Sequence, residues 1–350
     1  MSTHKLQTKP NGFRHGCSSS FRRVAEVAVV GLICHGNRVA RWSRIVVLPL
    51  VSLDPPFIAS FAGTLLWLMP ASVAEPKIEE MPPHSVEVNY AGSLVIVGGG
   101  GLPDVIRDRF LKLAGGKKGR LVVIPTASEM ADDMRINRIY SYWERVGFGS
   151  VKMLHTLDPK QANDPSFVKP LTEATAVWMS GGDQLRLTNA YRGTAVEREL
   201  RRLLARGGVV GGTSAGASVM SAVMITGGNP QARLGIGFGL LPDVVIDQHF
   251  ENRKRQQRLL GVLAENKNCL GLGIDEDTAV VVRGHTFTVV GEANVSICLP
   301  PSEQDQEPIQ VLKSGEVGDL LQLSHRMRTR LNAPAESRPI ASETARASER

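Results

Sequence analysis

Between residues 93 and 210, short β-branched runs alternate with stretches of helical periodicity, and this rhythm constrains the fold more than any other feature of the chain. The runs lie at 94–97, 121–124, 151–154, 176–179 and 209–210. Most are apolar throughout rather than alternating, as in strands buried on both faces. Between them, residues 104–114, 131–146 and 195–205 carry apolar side chains three and four apart. The alternation predicts βαβ units: an α/β fold with a mostly parallel sheet and helices on both faces. After residue 270 the rhythm shifts to short strands at 271–274, 279–282, 286–290 and 295–299, separated by turns. This predicts an antiparallel meander near the C-terminal end, completing or extending the same sheet. Open sheets of this class bind ligands beyond the carboxyl ends of their strands, so the residues just past each strand are the ones expected to carry chemistry.

The rhythm ends near residue 299, which predicts one α/β domain over 93–299 with a core of ordinary size. Residues 75–92 are rich in Pro and Glu and read as a linker. From about residue 302 the sequence turns polar and charged, so 300–350 is expected to be a largely disordered tail. Residues 1–74 read as a leader. They hold eight Lys and Arg against Glu26 and Asp54, a net +6 of the chain's +7. The remainder is nearly neutral, which excludes the basic footprint of a nucleic-acid binder. An apolar run at 57–69 is followed by Ser72-Val73-Ala74, and the pattern fits a signal peptide cleaved after Ala74. The run is short for a membrane span, so export to the periplasm or beyond, with no stable span, is expected. The basic region ahead of the run is long and holds a second apolar stretch at 45–53, as if translation starts downstream of Met1. An uncleaved N-terminal anchor is the alternative.

The sharpest local signal is Gly211-Gly212-Thr213-Ser214-Ala215-Gly216-Ala217, directly after the strand at 209–210. Gly212-x-Ser214-x-Gly216 has the form of a nucleophile elbow, in which a sharp strand-to-helix turn presents the serine and flanking glycines relieve crowding. The N–H of Ala215 then faces a developing oxyanion. A small-residue turn packing a helix onto a sheet is the competing account. A serine nucleophile needs a base, and the base needs an acid to hold its tautomer. Five histidines lie beyond residue 74. His84 falls in the linker and His325 in the polar end. His155 follows the third strand, where packing or solvation is the simpler account. His249 ends an apolar run within Val244-Val-Ile-Asp-Gln-His-Phe250, again at a strand's carboxyl end. His285 sits in Arg283-Gly284-His285-Thr286, which reads as a hairpin turn. The acid candidates are Asp275, Glu276 and Asp277, three consecutive carboxylates after an apolar strand, with a solvated turn as the alternative.

Four segments together carry a resemblance: Ser180-Gly-Gly-Asp-Gln184, Gly212-Thr-Ser-Ala-Gly-Ala217, Asp247-Gln-His-Phe with Arg253, Arg255 and Arg258 beyond it, and Gly273-Ile-Asp-Glu-Asp-Thr-Ala279. They resemble the cyanophycinases, serine peptidases related to the aspartyl dipeptidases and built on a flavodoxin-like sheet. The resemblance spans about residues 93–299. It implies Ser214 as nucleophile, His249 as base and Glu276 as third member. It implies Gly182 beside Ala215 as the oxyanion-hole donors, and Gln184, Asp247, Gln248, Arg255 and Arg258 as substrate-binding residues. Arg255 and Arg258, three apart on a helix expected to start near Arg253, would share a face suited to a carboxylate-rich substrate. The implied partner is cyanophycin or an Asp-containing peptide, with a metal-independent acyl-enzyme mechanism that releases β-Asp-Arg dipeptides from the polymer. No cofactor or metal is called for, and the sequence is compatible with a homodimer.

Three rivals are kept. An aspartyl dipeptidase-like enzyme would use the same triad on a smaller substrate. An α/β-hydrolase arrangement, whose acid precedes its histidine, would pair Glu276 with His285. A binding protein on this fold would use the glycine loops for an anion without turnover. Residues 98–101, four glycines after the first strand, look like a phosphate turn but lack the G-x-G-x-x-G spacing, and Leu102-Pro103 precedes Asp104 where the family has an acidic residue sooner. Cys17 and Cys34 lie in the leader. Cys269 and Cys298 sit in strand-like surroundings, where an exported chain either pairs them or keeps them as inert thiols.

Overall fold

The computed structural model describes residues 90–302 and 309–332. The expected leader, its cleavage site and most of the linker lie outside these residues. In chain order the elements are β1 (Ser93–Val97), α1 (Asp104–Leu113), β2 (Arg120–Ile124), α2 (Ile136–Glu144), β3 (Ser150–Met153), α3 (Pro165–Glu173), β4 (Ala176–Met179), α4 (Gln184–Tyr191), α5 (Ala195–Ala205) and β5 (Val209–Thr213). They continue with α6 (Ala215–Ser218), β6 (Val223–Gly227), β7 (Arg233–Ile236), β8 (Val244–Gln248), α7 (Gln256–Glu265), β9 (Leu270–Ile274), β10 (Thr278–Arg283) and β11 (Thr286–Gly291). The last are β12 (Asn294–Cys298), β13 (Ile309–Lys313), β14 (Val317–Asp319) and α8 (Leu320–Asn332).

Eight strands form the main sheet in the order β14-β11-β10-β1-β5-β4-β2-β3. The five strands from β1 to β3 pair in parallel, and β10, β11 and β14 extend the β1 edge antiparallel. The parallel part runs β3-β2-β4-β5-β1, the flavodoxin-like order 2-1-3-4-5 with the first strand of the chain in the last place. The continuous apolar runs have a direct consequence, because successive side chains of a strand point to opposite faces. Leu94 and Ile96, Val122 and Ile124, and Val177 and Met179 join one core cluster, packed by α3, α4 and α5. Their neighbours Val95 and Val97, Leu121 and Val123, and Ala176 and Trp178 join another, packed by Phe110 of α1 and Trp143 of α2.

The expected meander is divided. Of its strands, β10 and β11 extend the main sheet, whereas β9 and β12 belong to a separate four-stranded sheet, β13-β12-β9-β8. Residues 275–277 therefore cross from one sheet to the other. The tail expected from residue 300 also needs correction. Residues 309–332 contain β13, β14 and α8, and Leu312, Leu320 and Met327 are buried in the core. Two helices had no clear sequence signal. Helix α3 carries Pro165 at its first position and Pro170 inside, both of which read as breakers. Pro at the first turn is nevertheless compatible with a helix, and Asp164 caps it by accepting from the Ser166 N–H at 2.7 Å. Helix α4 follows the two glycines after β4 and is capped by Asp183. Cys269 and Cys298 are both buried free thiols, and burial pushes their pKa values up to about 11 and 12. Among the described residues, no helix is long and apolar enough to cross a membrane.

Candidate active site

The site lies where the two sheets meet. In the main sheet Val97 of β1 pairs with Thr213 of β5 on one side and Ala279 of β10 on the other. In the smaller sheet Gln248 of β8 pairs with Ile274 of β9. Ser214, His249 and Glu276 each come just after a strand end in this arrangement, so residues far apart in sequence converge on the carboxyl side of both sheets.

Ser214 has φ +51° and ψ −109°, a region that a non-glycine residue enters only under strain. Its backbone is held from both sides. The N–H donates to the Val97 carbonyl at 3.1 Å, and the carbonyl accepts from Ser218 at 2.9 Å. His249 is also left-handed, with φ +49°, and its N–H donates to the Gly98 carbonyl at 2.7 Å. Its Nδ1 lies 2.5 Å from Glu276 Oε1, and its Nε2 lies 3.0 Å from Ser214 Oγ. A carboxylate only accepts, so the proton sits on Nδ1 and Nε2 is free to accept from the serine hydroxyl. Burial lowers the His249 pKa below the ordinary histidine value, while the Glu276 hydrogen bond opposes the shift. The imidazole is thus neutral near pH 7, as proton abstraction requires.

The glycine run at 98–101 proves to be the seat of the histidine. Gly99 has φ +108°, and a Cβ there would lie 2.2 Å from His249 Cε1 and 2.3 Å from Nε2. The ring packs flat on bare backbone. Asp277 closes this loop: its N–H donates to the Gly99 carbonyl at 3.0 Å and its Oδ1 accepts from the Gly101 N–H at 2.5 Å. Asp275 does the same for the other side. Its Oδ1 accepts from Glu251, two residues past His249, at 3.0 Å, and its Oδ2 from Asn294 at 3.3 Å. Of the three carboxylates, only Glu276 reaches the imidazole. Sequence reasoning did not assign these roles to Asp275, Asp277 or the glycines. The available signal was the glycine run itself, which marks close approach to a backbone without saying by what.

Residues 94–290, more than half of the chain, match the sequence model of Peptidase family S51. The chain belongs to peptidase family S51. This S51 peptidase is 38% identical over 221 residues to a cyanophycinase of Geminocystis herdmanii, covering 59% of its own length and 81% of the relative's. It is also 38% identical over 216 residues to a cyanophycinase of Synechococcus elongatus, covering 57% of its own length and 66% of that protein. Among solved structures it resembles a peptidase from an acI-B1 Actinobacterium, with 27% identity, a TM-score of 0.52, and coverage of 67% of this chain and 98% of that one. It is a serine-type peptidase similar to the cyanophycinases.

The remaining expected site residues of the S51 peptidase divide into two groups. Gly181 stands beside Ser214, where a Cβ on it would lie 3.3 Å from Ser214 Cβ, and Gly182 follows it against the Ala127 carbonyl. Ala215 is the first residue of α6, so its N–H is one that helix geometry leaves without an intrahelical acceptor. The polar set is turned inward instead. Asp247 is 1% exposed and receives both Nε and Nη2 of Arg258, itself 3% exposed, with Nε at 2.9 Å from Oδ2. Arg255 Nη1 bonds the Gln248 carbonyl at 2.6 Å and its Oε1 at 3.0 Å, and lies 3.6 Å from Asp247 Oδ1. Burial, with Arg258 nearby, lowers the Arg255 pKa to about 10. The Gln184 amide donates to the Ile225 carbonyl at 2.7 Å, tying α4 to β6. Helix α7 starts at Gln256, not near Arg253, so Arg255 stands just ahead of it. Arg255 and Arg258, through Asp247 and Gln248, brace the end of β8 that precedes His249. The His285 side chain is 53% exposed in the β10–β11 turn, 3.5 Å from Asp319.

Proposed function

We propose that this peptidase hydrolyses the poly-aspartate backbone of cyanophycin through a Ser214 acyl-enzyme, releasing β-Asp-Arg dipeptides. The observation that carries the reading is the continuous chain Ser214 Oγ–His249–Glu276, at 3.0 Å and 2.5 Å. Ser214 Oγ attacks the scissile carbonyl carbon as its proton passes to His249 Nε2. Glu276 holds the Nδ1 proton and stabilises the imidazolium that forms. The N–H groups of Gly182 and Ala215 receive the negative charge that develops on the carbonyl oxygen. The C–N bond then breaks as His249 returns its proton to the departing amine. Water, deprotonated by the same imidazole, attacks the acyl carbonyl, and the ester C–O bond breaks as His249 returns that proton to Ser214 Oγ. Identity of 38% to two cyanophycinases supports the polymer over a smaller aspartyl peptide. Export rests on the sequence at 57–74, with a mature chain beginning at Glu75.

The test uses the purified chain from Glu75 with cyanophycin, the products being identified by mass. Unmodified protein releases β-Asp-Arg and is labelled at Ser214 by a fluorophosphonate, and Ser214→Ala loses both while keeping its circular dichroism. Labelling without release of dipeptide from the polymer would redirect the reading to a smaller substrate. Release by the Ser214→Ala variant within tenfold of the parent would end it. For export, N-terminal sequencing of protein from the native host should start at or near Glu75; soluble cytoplasmic protein with an intact leader refutes that part.

A further inference from the structure

Beside the two glycines at the end of β4 lies a polar circuit that the Ser214–His249–Glu276 chain does not use. Thr126 follows β2 and is fully buried; its Oγ1 lies 2.9 Å from His155 Nδ1 and 2.6 Å from Tyr191 Oη. His155, just past β3, places Nε2 3.2 Å from Asp132 Oδ1. Arg186 of α4 reaches the same oxygen with Nη2 at 2.5 Å and donates its Nε to the Thr126 carbonyl at 2.8 Å. The loop closes on itself through four side chains and one carbonyl.

Donor and acceptor chemistry places every proton in it. Asp132 accepts, so His155 carries its proton on Nε2, and Nδ1 must accept from the Thr126 hydroxyl. That hydroxyl accepts from Tyr191, whose oxygen accepts from the Thr156 N–H at 3.1 Å. Burial favours the states this order needs, lowering the pKa of His155 and raising that of Tyr191. A second proton on His155 would strand one hydrogen of the buried hydroxyl pair, that of Thr126 or, if Thr126 turns to donate to Tyr191, that of Tyr191.

The circuit has something to hold. Ala127, next in the chain, offers its carbonyl to the Asp183 N–H at 2.9 Å, and the Ser128 N–H donates to Pro125 at 2.8 Å. Gly182, at φ +137°, lies flat on that carbonyl, since a Cβ there would fall 2.1 Å from Ala127 O. Gly181 touches Ser214 on the other side. We infer that Thr126, His155, Asp132 and Arg186 are positioning residues, which fix the Ala127 carbonyl and through it the Gly181–Gly182 backbone against Ser214. The inference rests on the proposed use of the Gly182 N–H for the oxyanion. A shift of that donor leaves substrate binding intact and weakens transition-state binding.

The experiment measures the second-order rate of Ser214 labelling by a small fluorophosphonate, which needs the oxyanion site but no particular substrate. Thr126→Val removes the hydroxyl without changing shape. It is expected to slow labelling at least tenfold, and to lower kcat on cyanophycin similarly while KM stays within twofold. Thr126→Ser keeps the hydroxyl and should restore both to within about twofold of the parent. Labelling of the Val variant at the parent rate, whatever its thermal midpoint, overturns the inference. Should the Val variant not fold, Asp132→Asn at the partly exposed end of the circuit decides, with several-fold slower labelling expected and an unchanged rate overturning it. No labelling of the unmodified chain refutes the nucleophile itself, and the inference falls with it. Labelling without cleavage of cyanophycin refutes only the substrate.

Discussion

Replacing Gly99 by alanine tests whether the glycine run serves the histidine. The new Cβ would sit 2.2 Å from His249 Cε1 and 2.3 Å from Nε2. Carbon atoms in contact settle near 3.5 Å, so the ring has to retreat by roughly 1 Å or more. It retreats from a geometry with little slack, because Nε2 is 3.0 Å from Ser214 Oγ and Nδ1 is 2.5 Å from Glu276. A displacement of about 1 Å costs on the order of 100-fold in rate, or about 2.7 kcal/mol in the barrier. Alanine at φ +108° adds strain of about 1–3 kcal/mol to the fold. The expected variant is folded, somewhat less stable and about 100-fold slower, with KM little changed. Steady-state kinetics on cyanophycin, with thermal denaturation followed by circular dichroism, measures both effects. Turnover within threefold of the parent would refute the seating of the ring on Gly99.

Glu276→Gln should lower kcat by up to about 10⁴-fold, as loss of the orienting carboxylate does in such triads. Asp277→Asn keeps a carbonyl oxygen for the Gly101 N–H, and Asp275→Asn keeps one for Glu251 while losing the longer bond from Asn294. Both should stay within about tenfold, so equal losses across the three variants would contradict the geometry. Activity should fall as pH drops through the His249 pKa, because only the neutral imidazole accepts the serine proton. Burial lowers that pKa, so the acid limb of kcat/KM should lie below the ordinary histidine value of about 6.5, and a limb above it contradicts the reading. Because Glu276 raises the His249 pKa, Glu276→Gln should move the limb to still lower pH. Arg258→Ala leaves Asp247 buried without its main partner and should cost about 3–5 kcal/mol in urea denaturation, whereas a loss below 1 kcal/mol would mean the pair is dispensable.

Much of this protein was legible locally. A strand buried on both faces must be apolar at every position, so the runs at 94–97, 121–124, 176–179 and 209–210 showed both the strands and the layers around them. The elbow at Ser214 was legible for the same kind of reason, since a strained turn between strand and helix demands small neighbours within two residues. His249 and Glu276 stood at strand ends, and the order of the motifs brought them together by resemblance. The rest depends on contacts remote in sequence. Whether strands 271–274 and 279–282 share a sheet depends on their partners, β12 for one and β1 for the other, and no local pattern encodes that choice. The same limit applies to polar residues. Asp247, Arg255 and Arg258 have the composition of a binding surface, but a guanidinium three residues from another says nothing about whether a carboxylate lies behind it. Tertiary structure placed Asp247 there and turned the set inward. The glycines at 98–101 announced a close approach through their missing side chains, and only the fold supplied the imidazole that needs the space.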